Sequence, residues 1–179
     1  MLKHRNAVVI SGFHFILMQV RSVEAIVRAL NDAGVQYLIV GGLAVNAHGY
    51  VRLTNDVDLV IGLQPENIMS GWRALLAAGY QPRNPVTVEQ FADAAQREQW
   101  VREKGMRVLQ LWSDEHRATP VDIFITEPFP FAIEYQRAPR FELAPGLLVP
   151  IVSKATLLTM KREAGRPQDL EDLRRLGRL

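Results

Sequence analysis

The run Asp56-Val57-Asp58-Leu59-Val60-Ile61 puts two acids at the head of an otherwise apolar strand pattern. Residues i and i+2 of a strand share a face, so Asp56 and Asp58 point one way while Val57 and Leu59 point into a core. Two carboxylates held side by side repel, and the arrangement is costly unless a cation sits between them. Hard divalent ions such as Mg²⁺ prefer such oxygen ligands. A third acid, Asp122, opens a second apolar run, Val-Asp-Ile-Phe-Ile-Thr from Val121 to Thr126. Three carboxylates on two neighbouring strands suit a pair of metal ions, the device that clamps the attacking and leaving oxygens in phosphoryl transfer. Acids at strand starts also serve plain turns and solvent, so the spacing alone leaves both readings open.

Composition narrows the metal chemistry. The chain of 179 residues has no cysteine, which excludes thiol nucleophiles, disulfides and thiolate metal sites and leaves Asp, Glu or the four histidines as ligands. His4, His14 and His116 have no ligand spacing, and His48 reads as a structural residue at a helix end. The pI of about 9.1 is a weak signal, because 21 Lys and Arg stand against 19 Asp and Glu, a net charge of +2.

The apolar periodicity predicts an α+β chain with a mixed sheet. A helix runs from a capping Ser22 through Val23, Ile26, Val27 and Leu30 to a stop at Gly34. Residues 35–40, VQYLIV, form a strand that ends in Gly41-Gly42, and a short helix from Leu43 to His48 follows. Pro65 opens a helix to about Ala78. Residues 87–104 read as one amphipathic helix, and MRVLQLW and VDIFIT as strands. A hairpin turns at Pro145-Gly146, and two helical pieces after Ser153 are divided by Gly165-Arg166-Pro167. Trp72, Trp100 and Trp112 fall in apolar periodic segments and read as core. Residues 1–17 read as an upstream extension whose resemblance to a signal peptide is poor, residues 18–150 as the core and residues 151–179 as a C-terminal helical segment packed on it. The reading is of a cytoplasmic protein with no membrane association.

Glycines between a strand and a helix let backbone approach a phosphate, and the free amides of a helix start attract anions, although a Gly-Gly there also serves as a simple turn. The string LIVGGLAVNAHGYVRLTNDVDLVI, Leu38 to Ile61, resembles the signature of the DNA polymerase β-like nucleotidyltransferase superfamily: strand, Gly-Gly, Asp-x-Asp on a second strand, and a later third acid. More narrowly, Gly-Gly, Ala47-His48-Gly49 and Arg52-x-Thr54-x-Asp56-x-Asp58 look like the branch that contains AbiEii toxin-type enzymes. That branch also carries a downstream lysine and Asp-x-x-Asp, matched here by Lys161, Asp169 and Asp172.

The resemblance implies a polymerase β-like core and Mg²⁺-dependent transfer of an NMP from an NTP to a hydroxyl, with release of pyrophosphate. Asp56, Asp58 and Asp122 would be the catalytic, metal-holding acids, and Asp122 would also help to deprotonate the acceptor. Gly41 and Gly42 would cradle the triphosphate, and Arg52 and Lys161 would offset its charge. Asp169 would contact metal or acceptor. For Arg52 a structural pairing with Asp58 or nearby backbone is an equal alternative, for Lys161 a solvated helix face, and for Asp169 a helix cap. A tRNA end, a protein and a small molecule remain open as acceptors, as does a toxin role with an antitoxin partner. The competing class is a non-catalytic nucleotide- or partner-binding module.

Overall fold

The computed structural model describes residues 17–178, with side chains from Val20 onward. The histidines His4 and His14 and the upstream extension, apart from Leu17, lie outside the described residues. In chain order the elements are α1 (Leu17–Asp32), β1 (Tyr37–Ile39), α2 (Gly41–Ala47), β2 (Val57–Ile61), α3 (Pro65–Ala77), β3 (Gln81–Pro82), α4 (Val88–Ala92), α5 (Ala94–Lys104), β4 (Val108–Trp112) and β5 (Val121–Phe124). Then follow α6 (Phe131–Arg137), β6 (Arg140–Ala144), β7 (Leu147–Pro150), α7 (Lys154–Ala164) and α8 (Pro167–Leu176).

Five strands form one mixed sheet in the order β1-β2-β5-β4-β3, in which only the β2–β5 pair is parallel. The β6–β7 hairpin is a separate ribbon, joined to the main sheet by a bridge between Ile39 and Ile151. The α+β expectation therefore holds. Val57, Leu59, Val121 and Ile123 are buried as the alternation requires, and the α1 stripe Val23, Ile26, Val27 and Leu30 is buried as the helical period requires.

Several boundaries differ from the sequence reading. Helix α1 begins at Leu17, so Ser22 lies inside it, where its hydroxyl meets His116 Nδ1 at 3.0 Å. The helix expected over 87–104 breaks at Asp93, which adopts an extended backbone and accepts Ala95 N–H at 2.9 Å as the cap of α5. Thr87 and Gln90 close a capping box on α4. In the periodic reading Asp93 passed for one more residue of a polar face. Helix α6, which buries Phe131 and Glu134, and the short β3 were not anticipated. Trp72 and Trp100 are buried as expected, but Trp112 ends β4 with 38% of its surface exposed.

Candidate active site

The parallel β2–β5 register places Asp58 directly opposite Asp122, and Asp56 lies one residue before β2 on the same face as Asp58. One carboxylate oxygen from each of the three lies within 4.8 Å of the other two. No Lys or Arg among the described residues forms an ion pair with any of them. Burial first, then the charges of Asp56 and Asp122, push the Asp58 carboxyl up to about 7 against the pull of Lys161 and Arg166. Asp122 is raised as well, by burial and by Asp56, with the Gln110 hydrogen bond opposing. A compact set of oxygen donors, free of ion pairs and mutually repelling, fits a hard divalent cation such as Mg²⁺.

Short contacts hold two of the acids. Thr54 Oγ1 donates to Asp56 Oδ1 at 3.1 Å. Gln110, paired with Asp122 across β4 and β5, donates from Nε2 to Asp122 Oδ1 at 3.1 Å, and Arg83 Nη1 donates to Gln110 Oε1 at 2.8 Å. The sequence reading missed Gln110, whose only signal was an outward polar position in the alternating strand MRVLQLW.

The glycine pair forms the first turn of α2 rather than a turn before it. Gly41 has φ +61°, and a Cβ there would overlap the Asp58 carboxylate; a Cβ on Gly42 would overlap the Thr54 hydroxyl. Backbone thus lies directly against the acidic cluster, an approach that only glycine permits. Val40 N–H donates to Asp58 O at 3.0 Å and fixes the same junction.

The basic residues named from sequence occupy different roles. Arg52 donates through Nε and Nη2 to both oxygens of Asp172, at 2.7 and 2.9 Å, and through Nη1 to Leu53 O at 2.8 Å. Its backbone N–H and carbonyl are both taken by the Asn46 side chain at 2.9 Å. It therefore meets adjacent backbone, as one alternative held, but its acidic partner is Asp172 and not Asp58. Lys161 is not on a solvated helix face: it is buried, with Nζ 2.8 Å from Asp169 and 2.9 Å from Asp172. Asp169 accepts Arg166 N–H at 3.2 Å, which caps α8, and Arg166 Nε at 2.7 Å.

The outcome is an alternating chain, Arg52–Asp172–Lys161–Asp169–Arg166, that staples α7 and α8 to the loop leading into Asp56. Burial pushes the Asp169 and Asp172 carboxyls up, but hydrogen bonds from Arg166 and Lys161 to the former, and from Arg52, Lys161 and Gln168 to the latter, outweigh it and hold both below the ordinary carboxylate range. Only Arg166 reaches outward, its side chain 74% exposed. His48 is structural as expected: its Nε2 lies 2.8 Å from Val152 O, and burial lowers its pKa against that hydrogen bond.

These groups line a cleft of about 730 Å³ that includes the glycine pair, all three acids, Lys161, Arg166 and Asp169, together with Arg107, which sequence reasoning did not single out. No described helix is long and apolar enough to cross a membrane. No protein-family model and no curated protein matches the chain. Two of the solved structures similar to it in fold are of ANT(2'')-Ia. One is a solution structure of the antibiotic-resistance factor ANT(2'')-Ia, with a TM-score of 0.57 and 16% identity over 88% of this chain and 82% of that one. The other is a crystal structure of ANT(2'')-Ia in complex with adenylyl-2''-tobramycin, with a TM-score of 0.54 and 16% identity over 88% of this chain and 87% of that one. The chain thus shares the fold of ANT(2'')-Ia.

Proposed function

We propose that this chain is a Mg²⁺-dependent nucleotidyltransferase that moves an NMP from an NTP to a hydroxyl acceptor and releases pyrophosphate. The observation that carries the reading is the convergence of Asp56, Asp58 and Asp122 against the backbone of Gly41. Bound at these three acids, Mg²⁺ supplies charge neutralisation for the triphosphate and lowers the pKa of the acceptor hydroxyl.

The chain's own groups do the remainder. Gly41 and Gly42 offer backbone amides to phosphate oxygens at the start of α2. Asp122, oriented by Gln110, takes the acceptor's proton. Arg52 and Lys161 serve the triphosphate indirectly, as parts of the staple, while Arg166 and Arg107 are the exposed cations left to meet anionic oxygens. A binding module that had lost its chemistry would gain by shedding the repulsion at Asp58, which argues for catalysis.

The acceptor is a hydroxyl on tRNA, as in an AbiEii-type toxin restrained by an antitoxin, on a protein, or on a small molecule. The last class is supported by the adenylyl-2''-tobramycin held in one similar structure. Incubation with Mg²⁺ and each labelled NTP, against total tRNA, an aminoglycoside panel and cell lysate, separates them. We expect label in one class only, and none with Asp58→Asn or Asp122→Asn. Label carried equally by wild type and both variants would overturn the assignment, and so would no transfer in any arm.

A further inference from the structure

A second lobe of about 140 Å³ opens from the cleft behind Gly41 and Asp58. Phe124, Pro128, Leu157, Met160 and Ala164 supply its apolar lining, and its charged lining, much of it shared with the main cleft, includes Arg107 and Glu163. Neither of those two side chains makes a hydrogen bond or ion pair with another described residue. Asp58 lines the lobe but Asp56 and Asp122 do not, so it lies away from the acid assigned to the acceptor. Its volume suits a planar ring, since drug-sized ligands take about 300–1,000 Å³.

We propose that this lobe is the nucleoside end of the NTP site, that Phe124 and Met160 cover the faces of the base, and that Glu163 selects bases with an exocyclic amine over uracil. The proposal rests on the nucleotidyl-transfer reading and deepens it. A triphosphate anchored at Gly41 and Asp58 has polar surroundings in the main cleft, and the adjoining apolar recess is where a base with its π-faces gains from burial. A glutamate carboxylate only accepts hydrogen bonds. Adenine, cytosine and guanine each offer an amine to it. Uracil offers a single N–H flanked on both sides by carbonyl oxygens, which the carboxylate repels. A glutamine at the same position donates as well as accepts, and so matches uracil's edge.

Binding to the full chain in Mg²⁺ without acceptor tests this, by calorimetry with ATP, GTP, CTP, UTP and inorganic tripolyphosphate. We expect the three amine-bearing nucleotides to bind about tenfold or more tighter than UTP, the effect of one hydrogen bond to a charged group. Glu163→Gln, an exposed change, should narrow that gap to about threefold, as a neutral hydrogen bond replaces the charged one, and should not weaken tripolyphosphate. Phe124→Ala should weaken all four nucleotides by about tenfold, the stacking contribution, without weakening tripolyphosphate. If tripolyphosphate binds but UTP equals the others, or Glu163→Gln leaves the order intact, the base-selection proposal is wrong and the transferase reading stands. If neither tripolyphosphate nor any nucleotide binds, both fail together.

Discussion

Arg52 and Asp172 lie 120 residues apart, and the fork between them tests whether the C-terminal helices set the position of the loop that carries Asp56. Asp172 has a fully buried side chain and also takes Lys161 Nζ at 2.9 Å and Gln168 Nε2 at 3.1 Å. Removing one partner of a buried ion pair costs about 3–5 kcal/mol, because the other charge stays buried and uncompensated. Here Lys161 and Gln168 remain, so Arg52→Met should fall at the low end, near 3 kcal/mol. Asp172→Leu leaves both Arg52 and Lys161 short of an acceptor and should cost about as much. The double variant removes the pair together, and its cost should fall at least about 1 kcal/mol short of the sum of the singles. Urea denaturation of the four proteins measures the cycle, and the midpoints read directly as stability if the slopes agree. Arg52→Lys keeps the charge and loses the fork, so it should recover only part of the loss. Additivity of the two single changes within about 0.5 kcal/mol would refute a direct coupling, and the staple with it.

Three further expectations concern charge and backbone at the site. The folded-state pKa of Asp58 lies near 7 against an ordinary 3.8, so without metal its ionisation removes stability as pH rises from about 4 to 7, and the full loss, up to roughly 4 kcal/mol, is present above pH 7. In EDTA, Asp58→Asn should therefore melt higher than wild type at pH 8 but not at pH 4, and Mg²⁺ should reverse the order at pH 8; equal melting at both pH values would contradict the repulsion. Asp169 and Asp172 have the opposite sign: their pKa values are depressed, so the stability they contribute is present above the unfolded value of about 3.9 and is lost as pH falls through the folded ones. Acid titration by circular dichroism should show a steeper loss below about pH 4 in wild type than in Asp172→Asn. Gly41→Ala combines a positive φ with overlap on Asp58 and should cost about 1–3 kcal/mol together with all Mg²⁺-dependent stabilisation, read by thermal shift.

What the sequence made legible follows from the range of each signal. Period-two and period-3.6 patterns are local, so β2, β5, α3 and the paired face of Asp56 and Asp58 could be read, as could the breaker between α7 and α8. The meeting of Asp58 and Asp122 across a parallel pair needed a register that no local pattern encodes. Arg52 and Lys161 show the same limit. Nothing in the local pattern of either segment marks it as buried, and only the packing of α8 against the loop before β2 reveals that both are spent on Asp172. Gln110 was hidden for a related reason, since an outward polar residue on a strand has the same local appearance whether it meets water or the Asp122 carboxylate.

The distribution of charge also shows how a chain with a net charge of +2 keeps a cluster of acids free of ion pairs. Two of the cations nearest the acids are locked by Asp169 and Asp172, so they hold geometry without filling the metal position with a competing ammonium or guanidinium. Had Lys161 been free to pair directly with Asp58, it would have cancelled more of the repulsion among the three acids than its present longer-range pull does. Its two carboxylate partners prevent that, and the price is a pair of deeply buried acids whose own pKa values fall while that of Asp58 rises. The two sets of carboxylates, one without ion pairs and one saturated with them, are therefore parts of a single arrangement, in which the saturated set holds Arg52 and Lys161 away from the other.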